Sequence, residues 1–123
     1  MKKIISVMAI SLALVGCVTT PDRAEMATAN FGNLPDSYQE IVRNEILQRL
    51  KDPQSAQFEF ATPYKAWCKS GFTTFYGWLV PLTVNAKNSY GGYVGRKPMA
   101  YLISEGIARD FTSPFQVGGC GKA

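Results

Sequence analysis

Residues 84–96, VNAKNSYGGYVGR, gather the densest set of groups able to do chemistry in this 123-residue chain. Lys87 and Arg96 bring positive charge, Asn85 and Asn88 side-chain amides, and Tyr90 and Tyr93 phenols. Gly91, Gly92 and Gly95 add unhindered backbone. Glycine-flanked amides with cations nearby can hold an anion. A phosphate-binding loop would also need a following helix and a defined glycine spacing, and neither is visible. The same residues suit a turn, because Asn and Gly tolerate positive φ and let the chain reverse sharply after a strand. The first reading is a tight connection between strands, shaped by Asn85 and the glycines, with Lys87, Tyr90 and Tyr93 displayed outward. The second is a contact site, since exposed tyrosines combine apolar area with a polar tip.

The rest of the chain offers little for catalysis. It has no histidine, which removes the His-dependent Ser and Cys hydrolase arrangements and the usual imidazole metal ligands. Glu59, Glu105 and Asp110 are scattered and read as surface charge, not as the facing carboxylates a glycosidase needs. Nothing marks a partner that would tune Lys87 or a tyrosine as an acid or base. The expectation is a protein without enzymatic activity, cofactor or metal.

The three cysteines speak to location. The chain begins MKKIISVMAISLALVGC. Lys2 and Lys3 precede an apolar run, Ile4 to Val15, that falls short of the roughly 20 residues a spanning helix takes. It fits a secretory signal peptide. Leu14-Val15-Gly16-Cys17 resembles the lipobox of bacterial lipoproteins. That resemblance implies cleavage after residue 16, diacylation of the Cys17 thiol and acylation of the new amine; an ordinary signal peptide with a chance cysteine is the alternative. Three acyl chains give stable membrane attachment. Val18, where an Asp resembles an inner-membrane retention signal, implies the outer membrane, with the domain facing the periplasm. Removing Lys2 and Lys3 takes the basic residues from 13 to 11 against 9 acids, a mild surplus that does not indicate nucleic acid. Cys68 and Cys120 remain. In an oxidising compartment they are expected to form a disulfide, two unpaired thiols being the alternative.

These groups must be held by a small scaffold. Residues 17–35 are polar, small and poorly patterned and read as a tether, leaving a single domain over 36–123. Ser37-Tyr38-Gln39-Glu40 has the form of a capping box. Tyr38, Ile41, Val42, Ile46, Leu47 and Leu50 then recur at helical spacing, and Pro53 ends the helix. Strands are expected over Gln57–Phe60, Tyr64–Cys68, Phe75–Lys87, Met99–Ile103 and Ile107–Phe111, the last two joined by a turn at Ser104-Glu105-Gly106. Ala100–Ile103 also admits a helix. In the longest strand Tyr76, Trp78, Val80, Leu82, Val84 and Ala86 share one face. Pro81 lies on the other phase and predicts an edge or a bulge. The sum is an α+β domain with one N-terminal helix packed on a small antiparallel sheet in two layers.

Two stretches carry a further resemblance. Asp52-Pro53-Gln54-Ser55-Ala56-Gln57-Phe58 and Val84-Asn85-Ala86-Lys87-Asn88-Ser89-Tyr90-Gly91-Gly92-Tyr93-Val94-Gly95 resemble the DPxSAxF and VNAKNSxGGYxG motifs of a family of small uncharacterised proteobacterial envelope lipoproteins. The likeness covers roughly residues 50–103. The family usually has a Cys-Gly pair before the second motif, where this chain has Val80-Pro81-Leu82-Thr83. The resemblance implies a compact secreted domain and no particular activity. The functional expectation is an outer-membrane-anchored periplasmic lipoprotein acting as a structural or interaction module, with the membrane and an envelope protein as partners. A ligand-binding protein or enzyme using the Asn85–Arg96 loop is the second reading, and an accessory lipoprotein of a secretion or conjugation apparatus the third. A concave pocket lined by Asn85, Lys87, Tyr90 and Tyr93 would favour the second. A flat aromatic patch on a packed turn would favour the first.

Overall fold

A computed structural model describes residues 20–123. The lipobox, Cys17 and the apolar run before it lie outside the described residues. The elements run α1 (Arg23–Thr28), α2 (Tyr38–Leu47), a 3-10 turn (Pro53–Ser55), β1 (Gln57–Phe60), β2 (Tyr64–Ser70), β3 (Thr73–Asn85), β4 (Lys97–Ser104), β5 (Ile107–Asp110), α3 (Thr112–Gln116) and β6 (Cys120–Lys122). The domain is α+β, with a six-stranded antiparallel sheet. Its order is β5-β4-β3-β2-β6, with β1 also pairing β3.

Period-two alternation in β3 does what its sequence asks. Val80, Leu82 and Val84 point to one face, where they meet Tyr101 and Ile103 of β4 and Val42 and Ile46 of α2. Phe58 and Phe60 of β1 extend this core, stacked with ring centres 6.2 Å apart. Ala66, Cys68, Leu79, Ala100, Leu102 and Phe111 form a second cluster, on the opposite phase of the strands. So both faces of the sheet carry apolar residues.

Pro81 is not at an edge. β3 is central, with β4 along one side, where Pro81 stands opposite Ala100. On its other side β1 pairs as far as Leu82 and β2 begins at Leu79. The Pro81 carbonyl faces that side, accepting from Ala61 N at 2.9 Å. Its nitrogen faces the same way, into the gap where one partner strand hands over to the next. The missing N–H therefore breaks no ladder bond. The alternative helix at Ala100–Ile103 does not form; these residues are buried in β4.

Two local expectations are corrected. Ser37 precedes α2 but makes no side-chain cap bond: at φ −83°, ψ 18° it is not in the extended conformation a capping hydroxyl needs. A complete capping box forms instead at α1, between Asp22 and Glu25, inside the stretch read as tether. Residues beyond α1 also touch the sheet. The Phe31 ring meets Tyr76 edge-on at 5.7 Å, and Trp78 Nε1 donates to the Gly32 carbonyl at 3.1 Å. Leu34 packs on the core. The β4–β5 connection is a two-residue turn, with Glu105 at φ 54° and Gly106 at φ 74°, the signs of a type I′ hairpin.

Cys68 and Cys120 face each other across the β2–β6 pair and are disulfide-bonded. The bond ties the C-terminal strand to a fully buried position of the sheet. It closes a loop of sequence separation 52.

Candidate functional site

The Asn85–Arg96 segment is a closed turn built around Asn88. The Asn88 side-chain oxygen accepts from Tyr90 N at 2.9 Å and Gly92 N at 3.2 Å. Its backbone N donates to Gly92 O at 2.9 Å, and its carbonyl accepts from Gly91 N at 3.1 Å. Four backbone groups thus converge on one residue, the kind of Asx geometry that fixes a reversal without a ladder. Below the turn, Lys87 and Tyr93 form an isolated antiparallel bridge, and Val94 N donates to Ala86 O at 3.3 Å.

Ser55 holds this turn to the body. Its hydroxyl accepts from Lys87 N at 2.9 Å and donates to the Asp52 carbonyl at 2.7 Å. The Tyr93 hydroxyl reaches the Ser55 carbonyl at 3.2 Å. The sequence places Ser55 in the middle of DPQSAQF and leaves it unremarked. The signal available was the co-occurrence of the two motifs, with Gln57 and Asn85 in register across β1 and β3.

The expected site residues separate into three groups. Asn85 is not in the turn: it ends β3, and its side-chain oxygen is buried without a hydrogen-bond partner. It lines a recess of about 60 Å³ beside Gln57, Glu59, Thr83 and Arg96. Arg96 lines the same recess and forms an ion pair with Glu59. Tyr90, at 96% exposure, stands alone at the tip. Tyr93 is half-exposed, with the Lys87 ammonium 5.5 Å from its ring centre, a cation–π pair.

The glycines divide as well. Gly91 at φ 80° and Gly95 at φ 90° occupy the left-handed region, which disfavours side chains. Gly92 does not, and a Cβ there would meet nothing closer than 4.0 Å. The expectation that Gly92 shares the steric burden is corrected: it turns no corner itself and contributes its N–H and carbonyl to Asn88.

Among the described residues Asn85, Lys87, Tyr90 and Tyr93 are held apart: Asn85 lines the small recess beside Arg96, Tyr90 stands exposed at the tip, and Tyr93 is tied to Ser55. The inner flank of the turn, Lys87, Asn88 and Val94, instead walls a cleft of about 300 Å³ against the end of α2. The other lining residues are Ile46, Arg49, Leu50, Lys51, Val84, Ala86, Lys97, Met99 and Tyr101. Of the whole lining, Lys87 and Asn88 alone belong to the contact residues expected from the sequence. Tyr101 is fully buried. Burial pushes its phenol up from the ordinary value, and the nearby Asp110 carboxylate adds to this while Arg49 opposes it. Asp110 also accepts from Arg49 at 3.1 Å and from Thr112 N at 2.9 Å, and it lies close enough to the Tyr101 hydroxyl to favour the protonated phenol as a hydrogen-bond neighbour, although the contact falls outside ideal hydrogen-bonding geometry.

Among the described residues no cluster of three or more His, Cys, Asp or Glu could hold a metal ion, and no helix is long and apolar enough to cross a membrane. Comparison with protein-family models, curated proteins and solved structures yields no match.

Proposed function

We propose that the chain is a lipid-anchored envelope protein that works by contact and not by catalysis. In this reading it is held at the periplasmic face of the outer membrane through acylated Cys17. The domain is a small sheet with the Tyr38–Leu47 helix as its main covering layer. The observation that carries the proposal is the turn at Asn88: four backbone and side-chain hydrogen bonds brace it, and its tip presents Tyr90 to solvent at 96% exposure. An exposed aromatic on a braced tip loses little conformational freedom on binding, which is what makes tyrosine an effective contact residue. The likeness of the two motifs to those of envelope lipoproteins supports the same reading.

The test is in-cell crosslinking from a photoreactive residue at Ser89, next to the tip. A specific protein adduct is expected, and Tyr90→Ala should abolish it without moving the melting temperature. Absence of an adduct, or one indifferent to Tyr90→Ala, would overturn the proposal.

A further inference from the structure

The β2–β3 connection is a two-residue turn, Gly71-Phe72, with Ser70 and Thr73 opposite each other at its base. Gly71 has φ 60°, as the first central residue of a type II′ hairpin does. The second central position ordinarily takes a small polar residue. Here it is Phe72, whose side chain lies wholly in solvent, so the ring adds nothing to the packing of the domain. One exposed apolar residue is ordinary by itself. This one stands where the fold projects furthest at its end of the sheet. β4 pairs β3 from Trp78 onward, so between Thr73 and Gly77 β3 has β2 as its strand partner among the described residues. Phe72 thus caps a two-stranded arm, about 13 Å beyond Tyr76 at the rise of a strand. No Asp or Glu occurs in residues 60–104. The arm around the ring accordingly consists of Lys69, Ser70, Thr73 and Thr74, an ammonium and hydroxyls with no carboxylate among them.

The segment that leads to Cys17 lies over the same end of the sheet. Phe31 meets Tyr76 edge-on at 5.7 Å, and a Cβ on Gly32 would come within 4.0 Å of Glu105 N in the β4–β5 turn. The start of α1 is there too: burial raises the Tyr76 phenol, and the nearby Glu25 and Asp22 carboxylates add to it. Asp22 caps α1, and five residues join it to Cys17, a span of at most about 18 Å. The arm reaches about 13 Å from Tyr76, so an acylated Cys17 and the Phe72 ring can meet one interface. The Tyr90 turn lies the other way. It follows Asn85, nine residues along β3 from Tyr76, or about 30 Å.

We infer that the Phe72 arm is a second membrane contact, its ring seated in the interfacial region of the phospholipid bilayer that holds the acyl chains of Cys17, with the Tyr90 tip directed away from that surface. This contact depends on the Cys17 anchor proposed above and adds an orientation to it. Acyl chains fix where the polypeptide meets the bilayer, and a second contact fixes which way the domain faces. The driving force is removal of an aromatic ring from water at the boundary of headgroup and acyl chain. The hydroxyls and the ammonium beside the ring remain among the headgroups.

The test uses the protein purified from membranes and reconstituted into vesicles of phosphatidylethanolamine and phosphatidylglycerol, with acyl chains brominated near the headgroup end as a contact quencher. Flotation of the vesicles reads the anchor. Phe72→Trp and, separately, Tyr90→Trp place an emitter at either end of β3, and the unsubstituted protein supplies the baseline from Trp67 and Trp78. Both positions are exposed, so neither substitution should move the melting temperature. The protein is expected to float. The emission added by Phe72→Trp should lie to the blue of that added by Tyr90→Trp and should be lost in brominated vesicles, while the Tyr90→Trp emission persists. A protein that floats with the Phe72→Trp emission unquenched would overturn this contact and leave the anchor standing. A blue shift without quenching would do the same and assign the ring to a second copy of the chain. Equal quenching of Tyr90→Trp would overturn the orientation, and a protein that does not float would overturn the anchor and this contact together.

Discussion

Removing the Cys68–Cys120 bond tests how much of the domain's stability rests on one crosslink. Both cysteines are replaced by Ala, because Cys68 is fully buried and a serine hydroxyl there would lack a partner. With a sequence separation of 52, the chain-entropy model gives about 4 kcal/mol of stabilisation at 25 °C. A small domain has about 5–15 kcal/mol in total. At about 4–8 °C per kcal/mol for this size, the midpoint should fall by about 20 °C. A local effect should accompany the global one. β6 has three residues and, among the described residues, pairs with β2 alone. Beyond the ladder and the disulfide it is held by Lys69 N to Gly119 O at 2.8 Å and Ala123 N to Lys65 O at 3.0 Å. Opening of this edge would uncover the Trp67 ring, which Gly121 covers so closely that a Cβ there would lie 2.5 Å from it. Thermal unfolding by circular dichroism reads the first effect and red-shifted tryptophan emission the second. The native chain in reductant should melt near the double-alanine variant. A midpoint loss under about 5 °C, in the variant or in reductant, would refute the reasoning and show that β6 is held by its ladder alone.

Other outcomes follow from particular residues. Gly91→Ala should cost about 1 kcal/mol, because φ is 80° there, whereas Gly92→Ala should stay within about 0.5 kcal/mol; urea unfolding separates the two. Tyr101 has its phenol raised above 10.0 by burial, so the folded state keeps a proton that the unfolded state gives up. Its contribution is present below pH 10 and declines as pH rises beyond it, so Tyr101→Phe should flatten the loss of stability measured through alkaline pH. Mass spectrometry of membrane-extracted protein should find a triacylated N-terminal Cys17, and Cys17→Ala should leave the membrane fraction; a Cys17→Ala product that still carries lipid would sink the lipoprotein reading.

Strand positions were legible because alternation is local. Phe58 and Phe60, and Val80 through Val84, show their inward face at period two without knowledge of their partners. Pro81 misled for the opposite reason. A missing donor matters only relative to what lies beside it, and the hand-over from β1 to β2 at that point is a property of the whole sheet. Ser37 and Asp22 illustrate the same limit on a smaller scale. Both precede a residue pattern suited to a capping box, Glu40 and Glu25 standing three positions on, but only Asp22 has the extended backbone that brings its oxygen to the amide. In the turn, the residue types were informative and the division of labour was not. Asn88 carries the closure and Asn85 belongs to the strand, a distinction set by where β3 stops pairing with Gln57. Tyr101 and Lys97 escaped notice because a tyrosine and a lysine in a strand have no local mark of what faces them.

The two motifs, read separately in the sequence, are one structural joint. Asp52–Phe58 contributes the Ser55 hydroxyl and carbonyl; Val84–Gly95 contributes Lys87 N and the Tyr93 hydroxyl, and all four groups are used in the contact. β1 and the end of β3 then run in register from Gln57–Asn85 to Phe60–Leu82, so the joint continues directly into the sheet. Its consequence is directional. Fixing Lys87 N from one side and the Tyr93 ring from the other leaves the intervening residues only one way to close, over Asn88 and outward to Tyr90. Between these two anchors the Lys87 ammonium lies 5.5 Å from the Tyr93 ring centre, and Lys87 lines the cleft together with Ala86 and Val94. A serine in a short 3-10 turn thus orients both the exposed tip and the charged mouth of the cleft. This accounts physically for why a polar residue of DPQSAQF and the glycine-rich turn, 32 residues apart between Ser55 and Lys87, depend on each other's geometry.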